Sequence, residues 1–387
     1  MKKKIAILGS TGSIGKSLLQ IIKRNKKEFN ILLLASNKNY IELLKQTKNF
    51  KVKNVIITDK KSYEIFLKKN TNKKIRVYNN FNHFKSIFKN KIDYVMSSIT
   101  GIDGLKPTLN VIPFTKTLAV ANKESIICGW NLIEKEIKKF NTSFVPVDSE
   151  HFSIWYSLKN KKNINIKKIY LTASGGPFNN LPLSKFKSIK ISEALKHPNW
   201  KMGKKISIDS ATMMNKVFEV IEAKNIFNLN LKKIDVLVHP KSYVHSILSF
   251  NNGMVEIIAH DTDMKIPIFN TLHIEMNKNI YSKKIDIVKL NNLNLKKINL
   301  KKFPLINILK KIPKKTSLFE TIIVSANDEL VKLFLEKKIK FNDIQKKLIQ
   351  IVNNKKFIKY KRLKPKKIQQ IIDLNKQVKF QINSKSI

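Results

Sequence analysis

Acidic side chains in a strongly basic chain are the first candidates for chemistry. The stretch "VPVDSEHF" places Asp148 and Glu150 two residues apart, directly after an apolar run. Two such carboxylates repel each other unless a cation lies between them, and carboxylate oxygens are ligands that Mg²⁺ and Mn²⁺ prefer. The pattern therefore predicts a divalent-metal site; the alternative is a solvated acidic turn.

A second group of polar residues lies in "DSATMMNKVFEVIEA". Helical spacing places Asn215, Lys216 and Glu219 on one face, and we expect this helix to begin at Asp209 or Ser210 as its N-cap. Ser210 at a helix N-terminus can bind a phosphate, Lys216 adds a positive charge, and Glu219 supplies a third carboxylate. The alternative is an ordinary Lys–Glu pair on a helix surface.

A glycine-rich turn near the start indicates another anion site. In "LGSTGSIG", Gly9, Gly12 and Gly15 follow an apolar run and precede the helical pattern "SLLQIIKRN". Glycines permit the tight turn and close backbone approach that a dinucleotide phosphate needs; a plain strand-to-helix turn is the alternative. Polar and cationic residues at 36–39 replace the acidic residue typical of NAD-binding domains, which favours NADPH over NADH.

Three further stretches carry weaker signals. Ser174 in "YLTASGGPF" precedes two glycines, a pattern that can form an anion-binding nest. Trp200 in "KHPNWKMGKK" lies among polar residues, either as a core anchor or in a lid that closes over a ligand. His239 and His245 are interpreted as core or interface histidines, not as ligands.

Alternating strands and helices must position these residues. The runs "KIAILG", "FNILLLAS", "VKNVIIT", "IDYVMSSIT", "TLAVAN" and "SFVPVDSE" alternate with amphipathic segments, which predicts a parallel, doubly wound sheet. The middle of the chain mixes the strands "IKKIYLTAS", "KIDVLVHP" and "GMVEIIAH" with the strong helix "SATMMNKVFEVIEAKNIF". Helical spacing returns in "NDIQKKLIQIVNN" and "KPKKIQQIIDLNKQV".

A chain of 387 residues is too long for one ordinary core, and we expect four segments. These are an NADPH-binding domain over 1–148, a catalytic domain over 149–275, a Lys/Asn/Leu-rich linker over 276–303 and a helical domain over 304–387. No apolar run approaches the roughly 20 residues of a membrane helix. The single cysteine favours a reducing compartment, and "MKKKIAILGS" has no cleavage site. We therefore expect a cytoplasmic protein with no membrane partner.

The net charge of +49 raises the question of a nucleic-acid partner. However, only three of the 76 basic residues are arginine, the residue that nucleic-acid-binding proteins use for its fork geometry. Lysine is also scattered among Asn and Ile, which A/T-rich codons encode. The charge is therefore interpreted as a solvated basic surface, and no specific nucleic acid is expected.

Taken together, these motifs resemble the 1-deoxy-D-xylulose 5-phosphate reductoisomerase family. The resemblance is carried in order by "LGSTGSIG", "ANKES", "PVDSEH", "LTASGGPF", "HPNWKMGKKISIDSATMMNK" and "IEAKNIF". It implies an α/β protein with an N-terminal Rossmann-type domain, a central α+β catalytic domain and a C-terminal helical domain. It also implies conversion of 1-deoxy-D-xylulose 5-phosphate into 2-C-methyl-D-erythritol 4-phosphate, for isoprenoid precursors, by a homodimer that uses NADPH and Mg²⁺, Mn²⁺ or Co²⁺.

The resemblance also implies roles for individual residues. The implied metal ligands are Asp148, Glu150 and Glu219. The implied substrate site comprises Lys123, Ser149, Glu150, Ser174, His197, Trp200, Ser210, Asn215, Lys216 and Glu219, of which Lys123, Glu150, His197 and Lys216 are catalytic. The implied cofactor contacts are Thr11, Gly12, Ser13, Ile14, Asn37, Lys38, Asn39, Asn122, Glu124 and Gly203. Residues 197–202 match the family's mobile lid.

Two other classes of protein fit the sequence less well. A semialdehyde dehydrogenase shares the glycine pattern but needs a catalytic cysteine with a histidine partner; Cys128 in "SIICGW" has no evident base, and the carboxylates would be unexplained. A nucleic-acid-binding protein, or a decayed enzyme, predicts arginine-rich stripes or eroded motifs. Neither feature is present in the sequence.

Overall fold

The computed structural model describes residues 2–159, 161, 165–274 and 278–385. Its strands are, in chain order, β1 (Lys3–Leu8), β2 (Phe29–Ser36), β3 (Asn54–Ile57), β4 (Arg76–Tyr78), β5 (Ile92–Ser97), β6 (Thr115–Val120), β7 (Ser143–Pro146), β8 (Ile166–Ala173), β9 (Ile234–Val238), β10 (Val244–Phe250), β11 (Val255–Ala259) and β12 (Lys296–Lys297). Its α-helices are α1 (Ser13–Arg24), α2 (Tyr40–Phe50), α3 (Lys60–Lys69), α4 (Phe84–Ile87), α5 (Leu105–Val111), α6 (Lys123–Lys139), α7 (Ser149–Leu158), α8 (Ile191–Ala194), α9 (Lys204–Ala211), α10 (Met214–Ile226), α11 (Lys265–Leu272), α12 (Ile287–Asn291), α13 (Leu318–Leu335), α14 (Phe341–Asn353), α15 (Lys355–Ile358) and α16 (Ile368–Lys385).

The contacts within the chain divide it into two compact units. The first comprises Met1–Ser125, Leu132–Asp148 and Met264–Ile280, and the second comprises Ile126–Asn131, Ser149–Asp263 and Tyr281–Ile387. Within the described residues, no helix is long and apolar enough to cross a bilayer.

The first unit is built on a parallel sheet of seven strands in the order β4-β3-β2-β1-β5-β6-β7. The predicted doubly wound sheet is therefore confirmed, with the short strand β4 as an addition. The four consecutive residues from Ile5 to Leu8 are fully buried, as expected for a strand covered on both faces. The strand order reverses beside β1, and ligands of such sheets bind at the carboxyl ends of the strands on either side of that point.

Helix α11 belongs to this first unit. Its residues Ile268 and Leu272 lie in the same apolar cluster as Ile5 and Leu18, and Thr271 lies within hydrogen-bond distance of the Tyr94 hydroxyl, at 2.9 Å. The contacts therefore place the end of the segment predicted as a catalytic domain in the first unit. An apolar helix can cover either sheet, so the sequence pattern alone does not distinguish the two assignments.

The second unit contains a mixed sheet of five strands in the order β11-β10-β8-β9-β12. Strands β8 and β9 are parallel, and the other neighbours are antiparallel. The segment predicted as a linker contributes α12 and β12, and β12 pairs with β9; positions 276 and 277 of that segment lie outside the described residues. The helices predicted near the C-terminus are confirmed as α14 and α16.

The predicted start of the long central helix is wrong. Asp209 and Ser210 do not cap it, because they lie in the last turn of α9, a helix that already begins after Gly203. Met213 then adopts a left-handed conformation with φ of 62°, and α10 starts at Met214. A methionine rarely occupies this region of backbone conformations, so no turn residue marks the break in the sequence.

Candidate active site

Two carboxylates of the second unit converge on one buried ammonium. The Nζ of Lys216 donates to Oε1 of Glu150 at 2.9 Å and also to Oε2 of Glu219. Only 5% of the Lys216 side chain is exposed, against 14% for Glu150 and 2% for Glu219. Burial opposes the charge on Lys216, but the two carboxylates outweigh it and raise the pKa of the ammonium.

Two helices bring these charges together. Glu150 lies in the first turn of α7, where Ser149 Oγ donates to its Oε2 at 2.6 Å. Helix α10 presents Asn215, Lys216 and Glu219 on one face, and the Asn215 amide donates to the Glu219 carboxylate. The predicted placement of these three residues on one helix face is thus confirmed. Because Lys216 and Glu219 are buried, the alternative of an exposed Lys–Glu pair on the helix surface is excluded.

A third carboxylate lies just after β7, the last strand of the first unit. Asp148 follows β7, and its Oδ2 lies 3.0 Å from Nζ of Lys123, the first residue of α6. The Lys123 side chain is 8% exposed and that of Asp148 is 18% exposed. Since Asp148 precedes Ser149 in the chain, it is two residues from Glu150.

The carboxylates suit a divalent cation. Glu150 and Glu219 lie close enough to bind the same ammonium group, so a positive charge between them is already part of the native geometry. Hard oxygen donors of this kind fit Mg²⁺ or Mn²⁺. The residues present are therefore compatible with a metal site.

A hydroxyl and an imidazole form a second polar group in the same unit. Ser174, directly after β8, has its Oγ 2.9 Å from Nε2 of His197 and accepts a hydrogen bond from the Gly176 amide at 3.0 Å. Gly176 has φ of +65°, and a Cβ there would lie 2.8 Å from the Ser210 carbonyl oxygen. The glycine therefore lets the turn after β8 pack directly against the end of α9.

The hydrogen bonds of His197 define its tautomer. Nδ1 accepts from the backbone amides of Asn199 and Trp200, at 3.2 and 3.0 Å, so the proton is assigned to Nε2, which then donates to Ser174. Burial, and next the charge of Lys216, lower the pKa of His197 to about 4. The imidazole is therefore neutral at physiological pH.

The segment predicted as a lid is held at its middle. The Asn199 amide donates to the Pro240 carbonyl at 2.7 Å and lies 2.8 Å from the Ser242 hydroxyl. The Trp200 indole lies edge-on to His245, with ring centroids 6.1 Å apart, and is only partly buried. Trp200 is therefore not a deep core anchor, which leaves the lid interpretation.

The glycine loop has the backbone of a dinucleotide-binding turn. Gly9 has φ of +90°, and a Cβ on Gly15 would lie 2.5 Å from both the Gly9 carbonyl oxygen and Ser10 Cα. A Cβ on Gly12 would meet only the Gly9 carbonyl oxygen, at an ordinary 3.4 Å. Gly9 and Gly15 are therefore required by the turn itself. Gly12 is the N-cap of α1 and has no side chain to cap it, so the N-terminus of this helix is open to an anion.

The residues after β2 form a polar rim in the first unit. The Thr11 hydroxyl lies 2.9 Å from that of Ser36, and the Asn37 amide donates to Thr58 at 2.8 Å. Asn39 caps α2 and Lys38 is exposed. Thr11 therefore links the glycine loop to this rim, next to Ser13 and Ile14 at the start of α1.

The remaining predicted cofactor residues lie at the starts of two helices, α6 and α9. Asn122 is the N-cap of α6 and donates its amide to the Gly101 carbonyl at 2.8 Å. Glu124 lies in the first turn of the same helix and is 6% exposed. Gly203 is the N-cap of α9 in the second unit, and a Cβ there would meet nothing within 4 Å.

Comparison with known proteins decides the family. Models described as 1-deoxy-D-xylulose 5-phosphate reductoisomerase, its C-terminal domain and the DXP reductoisomerase C-terminal domain match residues 5–129, 144–227 and 260–381. The chain is 61% identical over 387 residues to the 1-deoxy-D-xylulose 5-phosphate reductoisomerase of Pelagibacter ubique (strain HTCC1062), covering 100% of both proteins. The chain belongs to this reductoisomerase family. The corresponding protein of Sulfurihydrogenibium sp. (strain YO3AOP1) is 38% identical over 347 residues, 90% of each chain.

Solved structures of reductoisomerases have the same fold. The enzyme from Zymomonas mobilis in complex with NADPH matches with a TM-score of 0.86 and 29% identity, over 100% of this chain and 99% of that one. A DOX-P reductoisomerase in complex with NADPH, fosmidomycin and magnesium matches with a TM-score of 0.90 and 29% identity, over 99% and 98%. The predicted family, fold class and NADP-dependent enzyme class are therefore confirmed.

Sequence reasoning on this reductoisomerase missed a buried pair behind the carboxylates. His151 and Glu222 are at most 1% exposed; Nδ1 of His151 lies 3.4 Å from Glu222 Oε2, and its Nε2 is 2.8 Å from the Glu219 carbonyl oxygen. The signal was available, because His151 directly follows Glu150 in "DSEHF". Its partner is 71 positions away, and no local pattern indicates that pairing.

His239 and His245 are core residues, as predicted. His239 is fully buried, and His245, 2% exposed, stacks on His260 with ring centroids 3.7 Å apart. Burial and the neighbouring His260 lower the pKa of His245 to about 3. Sequence reasoning did not identify His260 as its partner.

Proposed function

We propose that this reductoisomerase rearranges and reduces 1-deoxy-D-xylulose 5-phosphate to 2-C-methyl-D-erythritol 4-phosphate, and that the residues described above carry the reaction. The observation that supports these roles best is the buried cluster of Lys216 with Glu150 and Glu219. A generic NADP-dependent dehydrogenase needs no such group of buried carboxylates. A reaction that rearranges a carbon skeleton before reduction does, because charge must be stabilised on neighbouring oxygens.

Glu150 and Glu219 would hold a divalent cation, with Asp148 as the third ligand. Such a cation acts as a Lewis acid on the carbonyl and hydroxyl oxygens of the substrate. Lys216 remains beside the two glutamates and supplies a fixed positive charge. Lys123 acts in the same way beside Asp148, and both ammonium groups can neutralise oxygens that become negative during the rearrangement.

The substrate phosphate is assigned to Ser174, Ser210, Asn215 and Lys216. Support comes from the close packing of the turn after β8 on the end of α9, and from the position of Asn215 and Lys216 in the first turn of α10. Hydroxyls, an amide and a helix N-terminus donate to phosphate oxygens. A neutral His197 donates from Nε2, so it can orient the Ser174 hydroxyl without adding charge.

The glycine loop is assigned to the diphosphate of NADPH. Thr11, Gly12, Ser13 and Ile14 lie at the open N-terminus of α1, and Lys38 and Asn39 follow β2, where a dinucleotide's ribose binds in such folds. NADPH supplies the hydride for the final reduction. A cationic Lys38 favours the phosphorylated form of the cofactor.

The direct test is oxidation of NADPH on addition of 1-deoxy-D-xylulose 5-phosphate with Mg²⁺ or Mn²⁺. We expect oxidation that requires both the sugar phosphate and the cation and that stops when a chelator is added. 1-Deoxy-D-xylulose without its phosphate is the matched control and should react poorly. Folded protein that binds NADPH but leaves it unoxidised under these conditions would overturn the proposed activity.

A homodimer is part of the proposal. Strand β11 is at the edge of the second sheet, and its residues Val255 and Ile257 are 54% and 48% exposed. Exposed apolar residues on an edge strand suit pairing with another chain. Sedimentation equilibrium should give twice the mass of the chain, and a monomer at micromolar concentration would contradict this part.

A further inference from the structure

Helix α9 is tied to α13 by buried and partly buried polar side chains that lie outside the proposed catalytic residues. Asn327 of α13 donates its amide to Oδ1 of Asp209 at 2.7 Å. The ammonium of Lys205 lies 3.1 Å from the other oxygen of Asp209 and 3.0 Å from Asp328. Asp209 is 3% exposed and Asn327 is fully buried. These four residues are called the α9–α13 network below.

The same ammonium also contacts the helix that carries the carboxylates. Lys205 Nζ lies 5.3 Å from the ring centroid of Phe218, within the range of a cation–π contact. Phe218 is fully buried and directly precedes Glu219. Lys205 therefore joins α9, α10 and α13 at one point.

A buried carboxylate is costly to desolvate, so its retention calls for an explanation beyond stability. Helix α9 has only eight residues and ends at Ala211, two residues before the left-handed Met213, and so short a helix is not held in place by its own hydrogen bonds. Ser210, which follows Asp209, packs its carbonyl against Gly176. The end of α9 is thus held by the network through Asp209 and by Gly176 through Ser210.

We propose that Asp209 and Asn327 are positioning residues for the substrate phosphate: by fixing α9 against α13, they set the place of Ser210 relative to Ser174. This inference rests on the proposed role of Ser210. The role is not catalytic, since neither residue is assigned a contact with substrate or cofactor. It gives the C-terminal helices a part in substrate affinity.

The test compares three variants of the full chain. Asp209→Asn removes the charge that Lys205 neutralises, and Asn327→Asp places a second carboxylate against Asp209. We expect each to raise KM for 1-deoxy-D-xylulose 5-phosphate about tenfold, with a smaller change in kcat, because binding of a remote phosphate is weakened. The exchange variant, Asp209→Asn with Asn327→Asp, restores a carboxylate–amide pair next to Lys205 and should bring KM back to within about threefold of the original value.

Two controls separate this role from a general loss of stability. Glu329→Gln alters another buried carboxylate of α13, which pairs with Lys332 and Asn383 instead of α9; it should lower Tm and leave KM unchanged. NADPH affinity should not change in any of these variants. If Asp209→Asn does not fold, Asn327→Ser, which removes the amide without adding charge, provides the same comparison.

Failure of the positioning role can be distinguished from failure of the proposed phosphate site. If Ser210→Ala leaves KM unchanged, the proposed phosphate site is wrong. If Ser210→Ala raises KM but the network variants lower only Tm, or the exchange variant does not recover KM, the positioning role is wrong while the phosphate site stands.

Discussion

The Lys216 ammonium lies 2.9 Å from Glu150 Oε1, with both side chains almost removed from solvent. A lysine held in this way has a raised pKa and stays charged throughout the physiological range. It cannot act as a base there, so its contribution is a permanent positive charge. The carboxylates in turn keep a cation beside them before any metal binds.

Replacing Lys216 with methionine should make the protein depend on metal for stability. Glu150 and Glu219 would then face each other in a buried place, which costs about 3–5 kcal/mol. We expect a lower Tm than in the original chain and a larger rise in Tm on addition of Mg²⁺, measured by calorimetry.

The matched control for this prediction lies on the same helix. Lys224→Met breaks the buried pair with Glu320, which lies 3.1 Å away, and should lower Tm without recovery by Mg²⁺. An equal effect of Mg²⁺ on both variants would show that the carboxylates do not bind the ion.

Glu219→Gln should remove turnover and leave NADPH binding intact. The substitution keeps the shape of the side chain and removes one ligand charge, and Lewis-acid stabilisation is worth several kcal/mol, so we expect a loss of roughly 100-fold or more in kcat. Turnover and NADPH fluorescence titration measure the two effects. Glu256→Gln on β11 is the control and should be neutral in both; parallel loss of turnover and NADPH binding in Glu219→Gln would contradict its assigned role.

Gly12→Ala and Gly15→Ala should fail in different ways. The methyl group added by Gly15→Ala would meet backbone atoms at 2.5 Å, whereas the one added by Gly12→Ala would have only a 3.4 Å contact. Gly15→Ala should therefore lower Tm by several degrees, and Gly12→Ala should keep Tm but lose NADPH affinity by about tenfold or more, because the methyl occupies the space of the diphosphate. Unchanged NADPH affinity in a well-folded Gly12→Ala variant would show that this loop does not bind the diphosphate.

Lys38→Ala should reduce the preference for NADPH over NADH by about tenfold, equivalent to about 1.4 kcal/mol. The loss should come from weaker NADPH binding, with NADH affinity unchanged, since only NADPH carries a 2′-phosphate on its adenosine ribose. Kd values for the two cofactors measure this. Lys45→Ala, at an exposed lysine on α2, should affect neither, and an equal loss for both cofactors with Lys38→Ala would point to a structural effect.

The stability of the protein should fall between pH 6.5 and about pH 4, in part because of His197. Burial and Lys216 lower the pKa of His197 to about 4 in the folded protein, against about 6.5 in the unfolded chain. In this window the unfolded chain binds a proton that the folded protein does not, so the free energy of unfolding falls as pH falls. In His197→Gln, the free energy of unfolding, measured by urea denaturation at several pH values, should fall less as the pH is lowered. An NMR titration that places the pKa of His197 near 6.5 would contradict the prediction.

Local patterns were sufficient to predict the glycine loop, the strands of the parallel sheet and the helix face of Asn215, Lys216 and Glu219. Each depends on neighbours within one turn or one strand, and such interactions follow from residue spacing. The carboxylates after β7 were also predictable, because the carboxyl ends of parallel strands hold ligands.

The errors and omissions depend on distant partners. No turn residue marks the break between α9 and α10 at Met213. Asp209 and Ser210 were therefore assigned to the start of α10, although they lie at the end of α9. Glu222 and Asn327 each bind a residue more than 70 positions away, and nothing near them in the sequence indicates which residue that is. The boundaries of the four predicted segments stay a prediction.

The left-handed turn at Met213 separates helices α9 and α10 of the second unit. Ser210 is at the end of one helix, and Lys216 and Glu219 are on the next. In the proposed site, Asn215 and Lys216 bind the phosphate from the same helix that carries the metal ligand Glu219, whereas Ser210 binds it from α9, so the bend sets the place of Ser210 relative to the metal. We therefore expect residues 212–213 to influence discrimination by sugar length. A redesign for a longer or shorter sugar phosphate would begin with that bend and leave the metal-binding side chains unchanged.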